Sequence, residues 1–374
     1  MKKETLGGIV LVLCTIIAMA LANSSWGEDY ADILHLPLTF GVNDYIINLS
    51  LLHWINDALM AVFFFAVGME IKKEFLFGEL KSPSAALLPI VGAIGGMVVP
   101  ALLYVAFNLG HPTLGGWGIP MATDIAFSLG ILSLVAPKAP RSIVIFLTAL
   151  AIVDDLGGIL VIALFYTSEL SMTYLLAGAV VFVLLQVACR KNVPYLALYI
   201  LGGIVLWYTF LRGGIHPTIA GVLLGFSIPA GTKGDGGLLV NLEHQLAPVS
   251  TFLVMPIFAL GNAGIPLSVD SVRTILSPVG LGVFCGLFLG KPIGIFAAVW
   301  GLIKSGLVSL PQGATLRQFL GAGMLGGIGF TMSLFIASLA FVDESVLGTA
   351  KMAIVMASVV SACGGAVVFG LAKK

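Results

Sequence analysis

The sequence predicts an all-α polytopic membrane protein of about twelve transmembrane helices, and three observations carry that prediction. Of 374 residues, 59% are hydrophobic and only 10% charged, whereas a soluble chain carries roughly a quarter charged residues. Apolar runs of about twenty residues recur along the whole length, each enough to cross a hydrocarbon core of about 30 Å. Lysines and arginines fall on alternate connections between those runs, the asymmetry that separates cytoplasmic from external loops.

The apolar segments lie at 7–23, 52–70, 86–107, 113–135, 142–167, 172–189, 194–210, 214–229, 246–266, 277–303, 318–341 and 349–371. The first follows Lys2 and Lys3 and ends in Ala20-Leu21-Ala22, a pattern shared with secretory signals; the reading adopted is a retained first helix. Spans seven and eight are short and joined by a weak turn at Arg212-Gly213-Gly214. Even-numbered connections and the two termini hold fourteen Lys and Arg, odd-numbered ones hold three (Arg212, Arg273 and Lys351), and Lys291 stays inside a span. Both termini are therefore expected in the cytoplasm. The expected setting is a bacterial inner membrane, with the lipid bilayer as the first partner.

Net charge is zero, which argues against nucleic acid as a partner. Cys14, Cys189, Cys285 and Cys363 lie far apart without CxxC spacing, so neither a disulfide framework nor a zinc site is indicated. No cofactor is expected. The first external connection, roughly 24–51, contains two short alternating runs around Gly41 to Asp44. They read as a short external β-hairpin, whose edge can pair with a second copy of itself; an ordered loop fits the same residues equally well.

Two spans break the helix rules. Span four contains Gly115-Gly116-Trp117-Gly118-Ile119-Pro120, and span eleven contains Gly321, Gly323, Gly326, Gly327 and Gly329. Proline removes a backbone donor and glycine weakens a helix, so both spans are expected to unwind at membrane depth, where irregular backbone survives only against protein or a cavity. Each is the middle of a three-helix group, spans three to five and ten to twelve. The groups start an odd number of spans apart, so they form an inverted repeat. The chain is read as one integral membrane domain, 1–374, with those two groups as its core bundle and the remaining spans as an interface part.

Four ionisable residues lie deep within spans: Asp124, Asp154, Asp155 and Lys291. A charge at the bilayer centre costs at least ~2.5–3.5 kcal/mol, so such residues mark a pathway or a site. Asp154 and Asp155 are consecutive and project about 100° apart around a helix. One can face an aqueous funnel while the other turns to a neighbour, for which Lys291 is the obvious candidate. Burial and like charge both favour a protonated carboxylate, so such a pair can hold either a proton or a hard, oxygen-seeking cation. Competition of H+ and Na+ at one site, with alternating access, amounts to antiport. Asp124 and Lys291 can also offset the partial charges of broken helix ends, and Thr123 can lend a hydroxyl to an ion or cap a helix. A structural ion pair is the plainer reading for these residues.

An intramembrane aspartyl protease is the enzyme reading to weigh. It would show Tyr-Asp and Gly-x-Gly-Asp where this chain has Thr-Asp and Val-Asp-Asp, so no enzyme is expected. A sodium-coupled symporter or cation channel would also use acids and broken helices, but the sequence shows no organic-substrate pocket.

Thr123-Asp124-Ile125-Ala126-Phe127, Ala151-Ile152-Val153-Asp154-Asp155-Leu156-Gly157, Gly290-Lys291-Pro292 and Gly327-Ile328-Gly329-Phe330-Thr331-Met332-Ser333 together resemble the NhaA family of sodium/proton antiporters, from about Asn56 to Phe341 and more loosely beyond. That family is itself a type example of the inverted repeat with broken helices, so the repeat and the resemblance are not independent. The resemblance implies that Asp154 and Asp155 bind the transported Na+ or Li+ and carry protons, with Asp155 most directly at the ion. It implies that Asp124 and Lys291 balance crossed helix termini, with Lys291 also able to pair with Asp154, and that exchange is electrogenic and driven by the proton gradient, with Na+ or Li+ expelled. It further implies dimerisation through residues 35–50 and activation by alkaline pH through Glu70, Lys73, Glu74, Glu243 and His244, with His216 and Asp57 also involved. Lys73 stands where that family usually has arginine, and Ala247 where a second histidine can occur, so the pH profile is expected to be shifted. The plainer reading of the five cytoplasmic groups is a set of solvated helix ends.

Overall fold

Helices and closed barrels alone satisfy every backbone group in lipid, so an apolar chain with helical runs must be built from helices. In a computed structural model the described residues are 3–41, 46–167, 170–231, 237–267, 273–311 and 313–371, with side chains from Thr5 onward. In order they form α1 (Lys3–Ala22), the short α2 (Gly27–His35), strands β1 (Pro37–Phe40) and β2 (Ile47–Ser50), α3 (Leu51–Phe77) and α4 (Pro83–Asn108). A 3₁₀ half-helix (Pro112–Met121) leads into α5 (Ile125–Val135), followed by α6 (Arg141–Phe165), α7 (Met172–Arg190), α8 (Leu196–Gly213) and α9 (Thr218–Ser227). The chain ends with α10 (Gly237–Asn262), α11 (Pro278–Lys304), α12 (Leu316–Gly326), α13 (Phe330–Ala340) and α14 (Glu344–Leu371).

Among the described residues nine helices are long and apolar enough to cross a membrane. Two further spans are bent pairs, the 3₁₀ half-helix with α5 at 46° and α12 with α13 at 44°. These are the two spans whose glycines and Pro120 predicted a break. The ten-residue α9 is the short remaining apolar helix. The protein is a polytopic membrane protein with two broken spans.

Several boundaries differ from the sequence reading. Helix α3 runs on to Phe77 rather than stopping near 70, so Lys72, Lys73 and Glu74 ride its last turns. Helix α10 begins at Gly237 rather than 246 and carries Glu243 and His244 on helix rather than loop. Span eight shrinks because Gly214 takes a left-handed conformation at φ 83° to end α8 and Pro217 caps the start of α9. Lys351 lies on α14, not in a connection. Polar helix extensions carry no hydropathy signal, which is why the apolar runs understate α3 and α10.

Three π-turns interrupt long helices: Ile55–Leu59 in α3, Ser250–Val254 in α10 and Gly286–Gly290 in α11. In the last two a proline, Pro256 or Pro292, follows one residue after the next helix begins. A proline ring crowds the carbonyl four residues back and offers no N–H, and widening the preceding turn relieves both problems. No proline accompanies the first.

Contacts divide the chain into two units. The first comprises 1–13, 79–158 and 265–374 and contains both three-helix groups apart from the end of α6. Its core gathers Phe146, Leu147, Leu150, Ile295, Val299 and Phe319. Helices α4 and α11 pass so closely at Gly95 and Gly294 that a Cβ on either would strike the other's carbonyl oxygen, the close approach that small residues permit in membranes.

The second unit comprises 14–78 and 159–264. Gly221 and Gly225 of α9, spaced by four, lie against α3 backbone at Ala61, Phe65, Gly68 and Met69. Strands β1 and β2 pair antiparallel from Pro37↔Ser50 to Phe40↔Ile47, so the hairpin reading of this segment holds over the strands. Of the expected turn, Gly41 sits at φ 133°, and residues 42–45 lie outside the described residues. Trp54 anchors the pair, edge-on to Phe40 and stacked on Trp207 at 5.8 Å.

Candidate cation site at the crossing of two broken helices

A helix end leaves four backbone groups without partners, and a break inside the membrane doubles that number with no water to take them. In the first unit the two breaks meet: the Asp124 N–H donates to the Ile328 carbonyl at 2.6 Å. Asp124 is the N-cap of α5, its Oδ1 accepting from the Phe127 N–H at 3.0 Å. Its Oδ2 accepts from the Thr331 N–H at 3.1 Å and from the Thr331 hydroxyl at 2.5 Å. One buried carboxylate thus serves the N-termini of both α5 and α13, where helix dipoles present partial positive charge.

The opposite half-helix ends are served by hydroxyls and an ammonium. Ser128 of α5 donates to the Leu325 carbonyl in the last turn of α12 at 2.7 Å, and Ser333 of α13 donates to the Ile119 carbonyl of the 3₁₀ half-helix at 2.8 Å. The exchange is reciprocal: each second half-helix supplies the serine that satisfies the other span's first half. Thr123 donates to the Gly326 carbonyl at 2.9 Å, and the Lys291 ammonium donates to the Met121 carbonyl.

Against this crossing stands the acid pair of α6. Asp154 Oδ2 accepts from the Lys291 ammonium at 2.6 Å and lies 2.7 Å from the Thr123 hydroxyl, whose single proton it shares with the Gly326 carbonyl. Lys291 is 0% exposed and Asp154 1%, so this ion pair is fully desolvated. Asp154 Oδ1, also buried, has no hydrogen-bond partner among the described residues. Asp155 is buried one position on and close enough for its charge to act on Lys291. The result is three carboxylates, one ammonium and two threonine hydroxyls in an apolar unit. An oxygen donor set of this kind suits a hard monovalent cation, and Lys291 occupies one carboxylate oxygen that such a cation would contest.

The seven pH-sensing candidates all lie in the second unit but do not form one group. Lys73 pairs with Glu243 at 3.0 Å, the two side chains 32% and 15% exposed. Glu70 feels the charges of Glu243, Lys73 and Glu74, and His244 is exposed on α10 next to Glu243 in sequence. His216 lies 3.5 Å from Asp57, its other ring nitrogen 2.7 Å from the Thr218 hydroxyl. Asp57 precedes Glu70 on α3 by thirteen residues, about 20 Å of helix, so the structure separates a Glu70 cluster from a His216–Asp57 pair.

Sequence reasoning missed four side chains: Ser128, Thr331, Ser333 and Lys72. Thr331 and Ser333 stand in a motif that the resemblance quoted, yet had no role. Lys72, counted only as a loop charge, donates to the Phe226 and Ile228 carbonyls at 2.8 and 2.6 Å, complementing the C-terminus of α9, and to Cys189 Sγ at 3.3 Å. Its adjacency to Lys73 on a helix end was the available signal.

The family model for Na+/H+ antiporter 1 matches residues 1–369. A protein of Clostridium beijerinckii named Na(+)/H(+) antiporter NhaA 1 is 54% identical over all of this chain and 94% of its own length. The Na(+)/H(+) antiporter NhaA of Vibrio cholerae is 46% identical over 97% of this chain and 94% of its own, and that of Pelagibacter ubique is 46% identical over the whole chain and 96% of its own. With two broken spans crossing at buried carboxylates and a match along nearly its entire length, the chain belongs to the Na+/H+ antiporter 1 family.

Proposed function

We propose that this chain exchanges Na+, and Li+ in its place, for H+ across a bacterial inner membrane, with both termini in the cytoplasm, and that it is a transporter and not an enzyme. The observation that carries the reading is the desolvated Asp154–Lys291 pair beside Asp155, with the second Asp154 oxygen lacking a hydrogen-bond partner among the described residues at the crossing of two broken helices. An arriving cation takes oxygens of Asp155 and Asp154, with Thr123 beside them, and displaces the ammonium from Asp154. Protons bound at these groups leave as the cation binds and return as it departs, so the two cargoes exclude one another at each face. Asp124 stays with the helix N-termini and, with Lys291 on the Met121 carbonyl, keeps the crossing electrostatically balanced. Exchange is electrogenic and driven by the proton gradient, with Na+ or Li+ expelled.

The Glu70, Lys73, Glu74, Glu243 and His244 cluster, with the His216–Asp57 pair further along α3, sets the pH at which exchange turns on. Two copies associate through the β1–β2 hairpin, whose outer edges are unpaired within the described chain.

Everted membrane vesicles from an antiporter-deficient bacterial host, carrying a proton gradient reported by a fluorescent probe, test the reading. NaCl or LiCl is expected to dissipate the gradient with the wild type and not with Asp155→Asn. If neither ion moves protons at any pH tested, exchange is wrong; if protons move only when a third solute is supplied, the protein is a symporter.

A further inference from the structure

The π-turn Gly286–Gly290 lies immediately before Lys291 in α11, and the exchange reading assigns it no part. The Lys291 N–H bonds Gly286, five residues back. That leaves the Leu287 carbonyl without a helical donor. The N–H four residues on is that of Lys291, already taken, and the position five residues on is Pro292, which has none. Leu287 is fully buried. Its carbonyl oxygen lies 2.5 Å from the point a Cβ on Gly327 would occupy, at the break between α12 and α13. The Ser361 hydroxyl of α14, buried and without a hydrogen-bond partner among the described residues, lies 2.8 Å from the same point. The Leu287 carbonyl thus lacks its usual helical donor and the Ser361 hydroxyl has no partner among the described residues, a state that buried polar groups rarely adopt without reason.

We propose that this π-turn is the positioning element for Lys291: it holds the ammonium on Asp154 here and withdraws it, by moving along α11, when a cation takes its place. The proposal rests on the exchange reading and concerns how the lysine yields. A π-turn carries one residue more than the α-turn it replaces. Passing that extra residue beyond Lys291 returns the Lys291 N–H to the Leu287 carbonyl and turns Lys291 by about 100° around the helix. The ammonium then leaves both Asp154 and Met121. Gly286 and Gly290 bound the turn, and Pro292 keeps the ladder open just beyond it. Substituting either glycine would drive a Cβ into Pro120 or Pro100, which would test packing rather than motion.

Deletion of Leu289, whose side chain is 45% exposed, removes the extra residue while leaving α11 on both sides in its present orientation. The deleted protein is expected to purify folded, with Lys291 fixed on Asp154 and Na+-driven proton exchange lower by about a hundredfold, the scale of loss when a reacting group is misplaced. Deletion of Ile293, outward-facing with no spare residue nearby, is expected not to fold. Exchange at wild-type rates after the Leu289 deletion overturns the proposal.

Hydrogen–deuterium exchange of the wild type over 286–293 supplies a second measurement that needs no variant. Protection is expected to change on adding NaCl or LiCl and not choline chloride at equal ionic strength. Identical exchange in all three salts overturns the proposal even if the deletion fails to fold. Absence of Na+/H+ exchange by the wild type would instead sink the functional reading.

Discussion

At the scale of single residues, the Asp154–Lys291 pair is where burial and function meet. Two charges taken out of water repay their desolvation only when geometry is good, and removing one partner leaves the other uncompensated at about 3–5 kcal/mol. Lys291→Ala should therefore lower thermal stability in detergent on that scale, since it also frees the Met121 carbonyl. Adding Asp154→Asn should restore part of the loss, because the amide needs no counter-charge. A double variant no more stable than Lys291→Ala would show that the pair is not what holds Asp154. The candidate residues themselves were legible because ionisable groups are so rare inside these spans. Their partners were not: a carbonyl such as Met121 or Gly326 has no sequence signature, and Thr331 looks like any other threonine until its hydroxyl meets Asp124.

Among elements, the two broken spans act as one object. Each exposes carbonyls at the end of its first half, and each is satisfied by a serine from the second half of the other, Ser128 on Leu325 and Ser333 on Ile119. A buried acceptor stripped of its donor costs about 1–3 kcal/mol, so Ser128→Ala and Ser333→Ala should each destabilise by that amount. Reciprocity predicts losses of similar size, measured by thermal unfolding in detergent; a loss confined to one serine would mean that the crossing is held from one side. The glycines and Pro120 announced where each span opens. That the openings coincide in space, joined by the Asp124 N–H on the Ile328 carbonyl, is something no local pattern encodes.

For the molecule as a whole, the residues proposed for regulation and for assembly lie in the second unit. Lys73 and Glu243 are partly exposed, and pairs of that kind contribute about 0–1 kcal/mol. Glu243→Gln should thus leave thermal stability nearly unchanged while moving the pH midpoint of exchange. A profile superimposable on the wild type removes Glu243 from the sensing group. Leu49→Pro, which takes an N–H from β2, should convert a dimer to a monomer in light scattering while exchange in vesicles persists; an unchanged mass would place the dimer contact elsewhere.

Hydropathy and charge by themselves determined that the chain spans the membrane many times and which four charges are buried, and the placement of glycine and proline determined which spans break. The physical reason is that lipid tolerates so few polar groups that each one stands out against the background. The resemblance already implied that Lys291 can pair with Asp154, as it does; only the tertiary structure decided that Asp124 serves two helix ends and that the pH candidates form two groups along α3. Those outcomes depend on helix rotation and on backbone carbonyls from segments far apart in the chain. A single π-turn rotates all that follows it by about 100°, and neither the turn nor its consequence is visible in composition or periodicity.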